Sequence, residues 1–212
     1  MKAYILSVLF LCTTSLVAQA PAAATPQPHS SDLGFTYNIP SDWEVLATST
    51  LSSLQQETAK STAGEDVKKG VGCAQISLTA RHGDPASMIA VMTLSNACVG
   101  QAVTEEDMPG VVAAALEGPS QGFDMTQPEF GSYKLGTHTI WIGRAQGAPK
   151  GQPALKYAEE TACTLLEKGA ACWLIMAADH AATDTFERGL VTLEKDKPIA
   201  LVPANAFEKK LN

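Results

Sequence analysis

Around residues 73–99 the chain changes texture twice about a polar break. AQISLTAR sets Ile76, Leu78 and Ala80 against Gln75, Ser77 and Thr79, an alternation that predicts a strand with one wet face. HGDPAS then collects turn residues: Gly reaches positive φ, Pro presets φ, and Asp bonds its own backbone. SMIAVMTLSN is nearly continuously apolar, which predicts a central strand covered on both faces. The same pattern recurs later. ALKYAEETACTLL and ACWLIMAAD flank a short break at LEKGA, and the second run is again apolar throughout. GFTYNIP, residues 34–40, alternates and ends at Pro40, WEVL continues extended, and FDMTQPEF and GTHTIWIGRA predict further strands.

Helical spacing occurs in three places. TEEDMPGVVAAALEG, residues 104–118, has acidic residues in its first turn, Pro109 near its start and Gly118 at its end. Met108, Val111, Val112 and Ala115 fall on one face of it. Residues 51–60 place only Leu51, Leu54 and Thr58 at helical spacing. Asp184 with Glu187 forms a capping box, and Phe186, Leu190 and Leu193 line one side of a closing helix that runs to about Glu194. Short turns join antiparallel neighbours, and central strands covered on both faces call for two helical layers. The expected architecture is an α/β/α sandwich around a mostly antiparallel sheet.

The ends of the chain read differently. Residues 1–20 carry Lys2, a short polar-interrupted apolar run and the small residues Ala18 and Ala20, the features of a secretory signal peptide. The run is too short and too interrupted for a transmembrane anchor. Residues 21–32 are small and Pro-rich and predict a flexible tether, residues 33–197 a single domain, and residues 198–212 a C-terminal tail. The expected location is exported, either periplasmic or extracellular. Loss of Lys2 with the leader takes the formal charge from −7 to −8. A chain this acidic, with no basic cluster, is repelled by phosphate backbones, so nucleic acid is excluded as a partner.

Four cysteines remain after the leader: Cys73, Cys98, Cys163 and Cys172. The midpoint of the first pair falls inside HGDPAS and that of the second inside LEKGA. Residues equidistant from a hairpin turn lie opposite each other, so each pair is expected to staple its own hairpin. The chain-entropy model gives roughly 2.7 kcal/mol for the shorter loop and roughly 3.5 kcal/mol for the longer. A loop of three residues at Glu167 to Gly169 would misalign the second pair and require a bulge. Neither pair has the C-x-x-C spacing of a redox site or the close-spaced ligand pairs of a zinc site.

GFTYNIPSDWEV, with Gly34, Phe35, Ile39, Pro40 and Trp43, resembles the opening strand of PsbP-like proteins, the extrinsic photosystem II subunits and their relatives. KGAACWLIMAADHAATDTFERGLVTLE resembles that family's last strand, loop and closing helix. The resemblance implies the same α/β/α sandwich, and a role in protein contacts rather than catalysis. It makes Phe35, Pro40 and Trp43 fold-forming. It transfers no binding residue, and the two cysteine pairs depart from the family pattern.

Candidate chemistry is thin. Asp179-His180 follows the last central strand, His82 and Asp84 sit at another turn, and His138 opens a strand; together they are the candidate imidazole and carboxylate ligands for a metal. Exposed turn polars are the plainer and preferred reading of them, and no metal is expected. There is no G-x-S-x-G elbow, H-E-x-x-H or P-loop. Glu159 and Glu160 point to opposite faces of their strand, so they do not form a paired acid and base. The reading is an exported, non-catalytic binding or accessory protein of the cell envelope, without cofactor, whose partner is another envelope protein. The alternatives are a metal-dependent enzyme such as a hydrolase, and a small-ligand carrier that uses the cleft between sheet and helix.

Overall fold

The structure, a computed structural model, describes residues 27–39, 41–46, 73–83, 86–117, 123–179, 190–194 and 197–200. The predicted leader, the expected helix at 51–60, Pro40, Asp84 and His180 lie outside the described residues.

The two predicted hairpins form the centre of the main sheet. β4 (Ala74–His82) and β5 (Ser87–Ser95) are the first, with His82 opposite Ser87; β9 (Tyr157–Leu166) and β10 (Gly169–Ala177) are the second. β10 lies antiparallel between β5 and β9, so both runs predicted to be central are central. β8 (His138–Pro149) extends the sheet beyond β9, and β3 (Glu44–Val45) pairs with β4 on the far edge. FDMTQPEF is two strands rather than one. β6 (Phe123–Met125) and β7 (Glu129–Leu135) share the outer edge of β8. Pro128, which has no N–H to give a ladder, falls between them.

Cys163 stands directly opposite Cys172, because the connecting loop is only Glu167 and Lys168 and no bulge is needed. The first disulfide is built differently. The ladder would put Cys73 beyond the Ala74–Leu94 pair, but after Ser95 the chain turns into α1 (Asn96–Val99), a single helical turn closed by Gly100 at φ 81°. That turn brings Cys98 back to Cys73, with Cα atoms 5.5 Å apart. Both expected pairings are present.

α2 (Met108–Glu117) forms within the predicted 104–118. The first four residues are a capping turn, in which Asp107 Oδ2 accepts from the N–H and the hydroxyl of Thr104, each at 2.8 Å. The carboxylate thereby closes the turn that leads into the helix. Met108, Val112, Ala115 and Leu116 are buried, and the first three join Cys163, Cys172 and Leu174 in the core on one side of the sheet.

Among the described residues, the opposite face is covered by a second sheet. Its order is β1-β2-β11-β12, formed by β1 (Gln27–Ser30), β2 (Thr36–Ile39), β11 (Leu190–Glu194) and β12 (Lys197–Ala200). Phe35, Tyr37 and Ile39 turn inward from β2 and its approach, and all are 2% exposed or less. Phe35 meets fully buried Trp173 edge-on at 5.2 Å. Burial of each such side chain contributes about 1.5–3 kcal/mol. The expected α/β/α sandwich around a mostly antiparallel sheet is met in part: the described residues are dominated by antiparallel strands, with α2 on one face of the main sheet and the small sheet on the other. Leu190–Glu194, expected as the end of the closing helix, is strand, and the capping box before it lies outside the described residues. Leu190 and Leu193 fit a helical period, yet Val191 and Thr192 are β-branched and their backbone pairs with Tyr37 and Thr36. The small sheet also reaches past the expected domain limits, taking Gln27–Ser30 from the tether and Pro198–Ala200 from the tail.

Candidate functional site

The densest group of exposed functional side chains lies where β3 meets the end of β4. Alternation turns Arg81 to the α2 side of the sheet and His82 to the small-sheet side. Register places Glu44 opposite Arg81, and Arg81 Nε donates to Glu44 Oε2 at 2.8 Å. One step back along the chain, Trp43 stacks on the His82 ring, with centroids 5.5 Å apart and planes at 26°. Asp42 Oδ2 lies 3.2 Å from His82 Nε2. Trp43 also rests on the main core, so one face of the imidazole and one of its nitrogens are fixed. Val45 and Met88 add exposed apolar surface beside Arg81 and Ala80.

Arg81 and Glu44 are each about 60% exposed, and such a pair contributes up to about 1 kcal/mol. The corner thus owes its shape to the backbone pairing and to Trp43 more than to its charges. Arg, Trp and Met beside a mixed-charge rim are the side chains that protein interfaces favour.

Of the candidate metal set, His82, His138 and Asp179 are described. Asp179 lies two residues past the end of β10, at the same sheet end as His82, with β5 between their strands. His138 opens β8 opposite Leu135, at the end that carries the Glu167–Lys168 loop. Four strand spacings, roughly 19 Å, separate β8 from β4. Among the described residues no three His, Cys, Asp or Glu side chains are grouped to hold a metal ion. Of the expected fold motif, Phe35 is core and Trp43 is half-buried under His82.

Two residues dismissed as a site carry the least expected electrostatics. Glu159 is 2% exposed and Glu160 fully buried, on opposite faces of β9 as alternation requires. Glu160 faces its cross-strand neighbour Arg144, Nη2 to Oε2 at 4.0 Å. Glu159 lies between Ala145 and Met176 on the α2 side, and its Oε1 makes no hydrogen bond. Burial pushes its carboxyl up to about 7. The sequence signal was available: two adjacent acids inside a strand otherwise composed of small and apolar residues. The Asp42, Glu44 and Arg81 grouping had no such signal, because it depends on pairing residues nearly forty positions apart.

A shallow hollow of about 390 Å³ lies at the other end of the sheet, lined by Asp32, Leu33, Ser95, Asn96, Glu167 and Lys168. Its walls are tied by Asn96, whose N–H donates to Lys168 O and whose side-chain oxygen accepts from Val103 N–H. No helix among the described residues is long and apolar enough to cross a membrane.

No family model matches the chain, and no curated protein matches it. Among solved structures, the solution structure of cyanobacterial PsbP (CyanoP) from Synechocystis sp. PCC 6803 is similar, at 13% identity over 76% of this chain and 85% of that chain, with a TM-score of 0.42. The similarity assigns the chain to no family.

Proposed function

We infer that this protein is an exported, disulfide-stapled binding or accessory domain of the cell envelope that works by protein contact. The observation that carries the reading is the buried Cys163–Cys172 bridge at the centre of the main sheet, which suits a chain that folds in an oxidising compartment. The sheet edge at β3 carries contact side chains on both faces, Trp43 on one and Arg81 with Glu44 on the other. Support for catalysis is weaker: His82, Asp179 and His138 are spread over two ends of the sheet, and the sheet-to-helix interface is packed with Met108, Val112 and Leu174.

The test is cross-linking capture of the tagged, exported protein from its own envelope, run beside an Arg81→Glu, Val45→Asp variant. A stoichiometric partner that the variant loses supports the reading. Recovery of the protein alone, with turnover of an envelope substrate abolished by His82→Ala, would replace it with the enzyme reading.

A further inference from the structure

Glu159 and Glu160 give neighbouring carboxyls opposite surroundings. Glu160 has a guanidinium across the ladder, whereas Glu159 is buried on the face of the sheet that carries α2. α2 starts near the Leu165 end of β9, where Glu105 lies 4.0 Å from Lys134, and the chain re-enters the sheet as β6 beyond Tyr157. Its closing turn therefore lies toward the Glu159 row, and Val112 one turn earlier stands over Gly143, the neighbour of Thr161. The carbonyls that end a helix are electronegative, so they oppose a second negative charge there.

Among the described residues no cation stands near enough to offset this. α2 is apolar from Met108 to Leu116, β8 presents glycine and alanine to this face beside Glu159, and β10 presents Leu174 and Met176. β6 turns Asp124 to the opposite face, and β9 itself adds only Tyr157 and Thr161, whose hydroxyl is buried without a hydrogen bond. Along the row, Glu159 is followed by Met176, Met88 and then Arg81, three strand spacings or roughly 14 Å away.

The geometry points to Glu159 as a proton latch for α2: the helix stays packed while the carboxyl is neutral and loosens from the sheet when the carboxyl ionises. A buried carboxylate without partners is relieved most cheaply by admitting water, and the boundary nearest to it is the one between helix and sheet. The transition falls near pH 7, where burial places this carboxyl.

Hydrogen exchange of the full protein at pH 6 and pH 8.5, corrected for intrinsic rates, tests the latch. Protection of the α2 amides is expected to fall about tenfold, to stay below that of the β5 and β10 amides at pH 8.5, and Glu159→Gln is expected to remove the fall. A flat wild-type response overturns the proposal, as does an equal fall in the Gln variant. If the variant does not fold, the wild type still decides, because α2 amides as well protected as those of β5 and β10 at pH 8.5 open only with the whole domain, which also overturns it.

Discussion

Cys163 and Cys172 face each other across the innermost hairpin with Cα atoms 4.1 Å apart, and their bridge lies against the apolar side of α2. The bond both closes a short loop and fills core space. Replacing both residues by alanine is expected to cost about 3 kcal/mol, and more if the vacated volume does not collapse. Urea denaturation measures it. Peptide mapping without reductant should return Cys73 joined to Cys98 and Cys163 to Cys172, and a cross-pair such as Cys73 with Cys163 would contradict the fold.

Stability should fall as pH rises through neutrality. The Glu159 carboxyl ionises near its ordinary value of 4.5 in the unfolded chain but only at about 7 when folded. Its proton therefore favours the folded state most below pH 4.5, and that advantage is lost as pH rises through 7, by roughly 3 kcal/mol in full. His29 acts in the opposite sense. Burial lowers its imidazole below 6.5, so the unfolded chain takes up a proton first and stability declines as pH drops through that range. Thermal melts from pH 5.5 to 9 should show the alkaline decline in wild type and its loss in Glu159→Gln.

Arg144→Met leaves Glu160 buried opposite an apolar side chain. Breaking a buried pair from one side is expected to cost about 3–5 kcal/mol. Adding Glu160→Gln should recover much of that loss. A double-mutant cycle by chemical denaturation measures the coupling, and additive effects would show that the pair does not interact.

Two glycines should respond to alanine with opposite signs. Gly169 sits at φ 157° after the Glu167–Lys168 loop, and a Cβ there would come within 2.0 Å of Leu94 O. The β5–β10 ladder must shift to admit it, so Gly169→Ala should destabilise by more than about 1 kcal/mol. Gly110, in the first turns of α2, has open space around its would-be Cβ. Gly110→Ala should stabilise by roughly 0.5–1 kcal/mol. Paired melting curves check both.

The parts of the fold legible in the sequence are those written locally. HGDPAS and the two-residue loop after Leu166 set their hairpins by turn chemistry, and continuous apolar runs marked β5 and β10 as central. The second layer was not legible, because it depends on β2 meeting β11 more than 150 residues later. LVTLE satisfies a helical and a strand reading alike, and only the partner strand decides between them. The same holds for the candidate site. Phe35 and Trp43 could be singled out from a local motif, whereas the Arg81–Glu44 and Asp42–His82 contacts exist only once β3 finds β4.

Each bridge ties residues on the same side of the stretch between α1 and α2: Cys73 with Cys98 before it, Cys163 with Cys172 after it. The two parts meet along the β5–β10 ladder and again where β2 meets β11, with no covalent tie beyond the backbone. A protease cut between Gly100 and Thr104 would thus yield two separately cross-linked pieces whose reassociation reports on those seams alone. Fragment complementation would read the strength of the long-range joins directly, free of the contribution from either bridge.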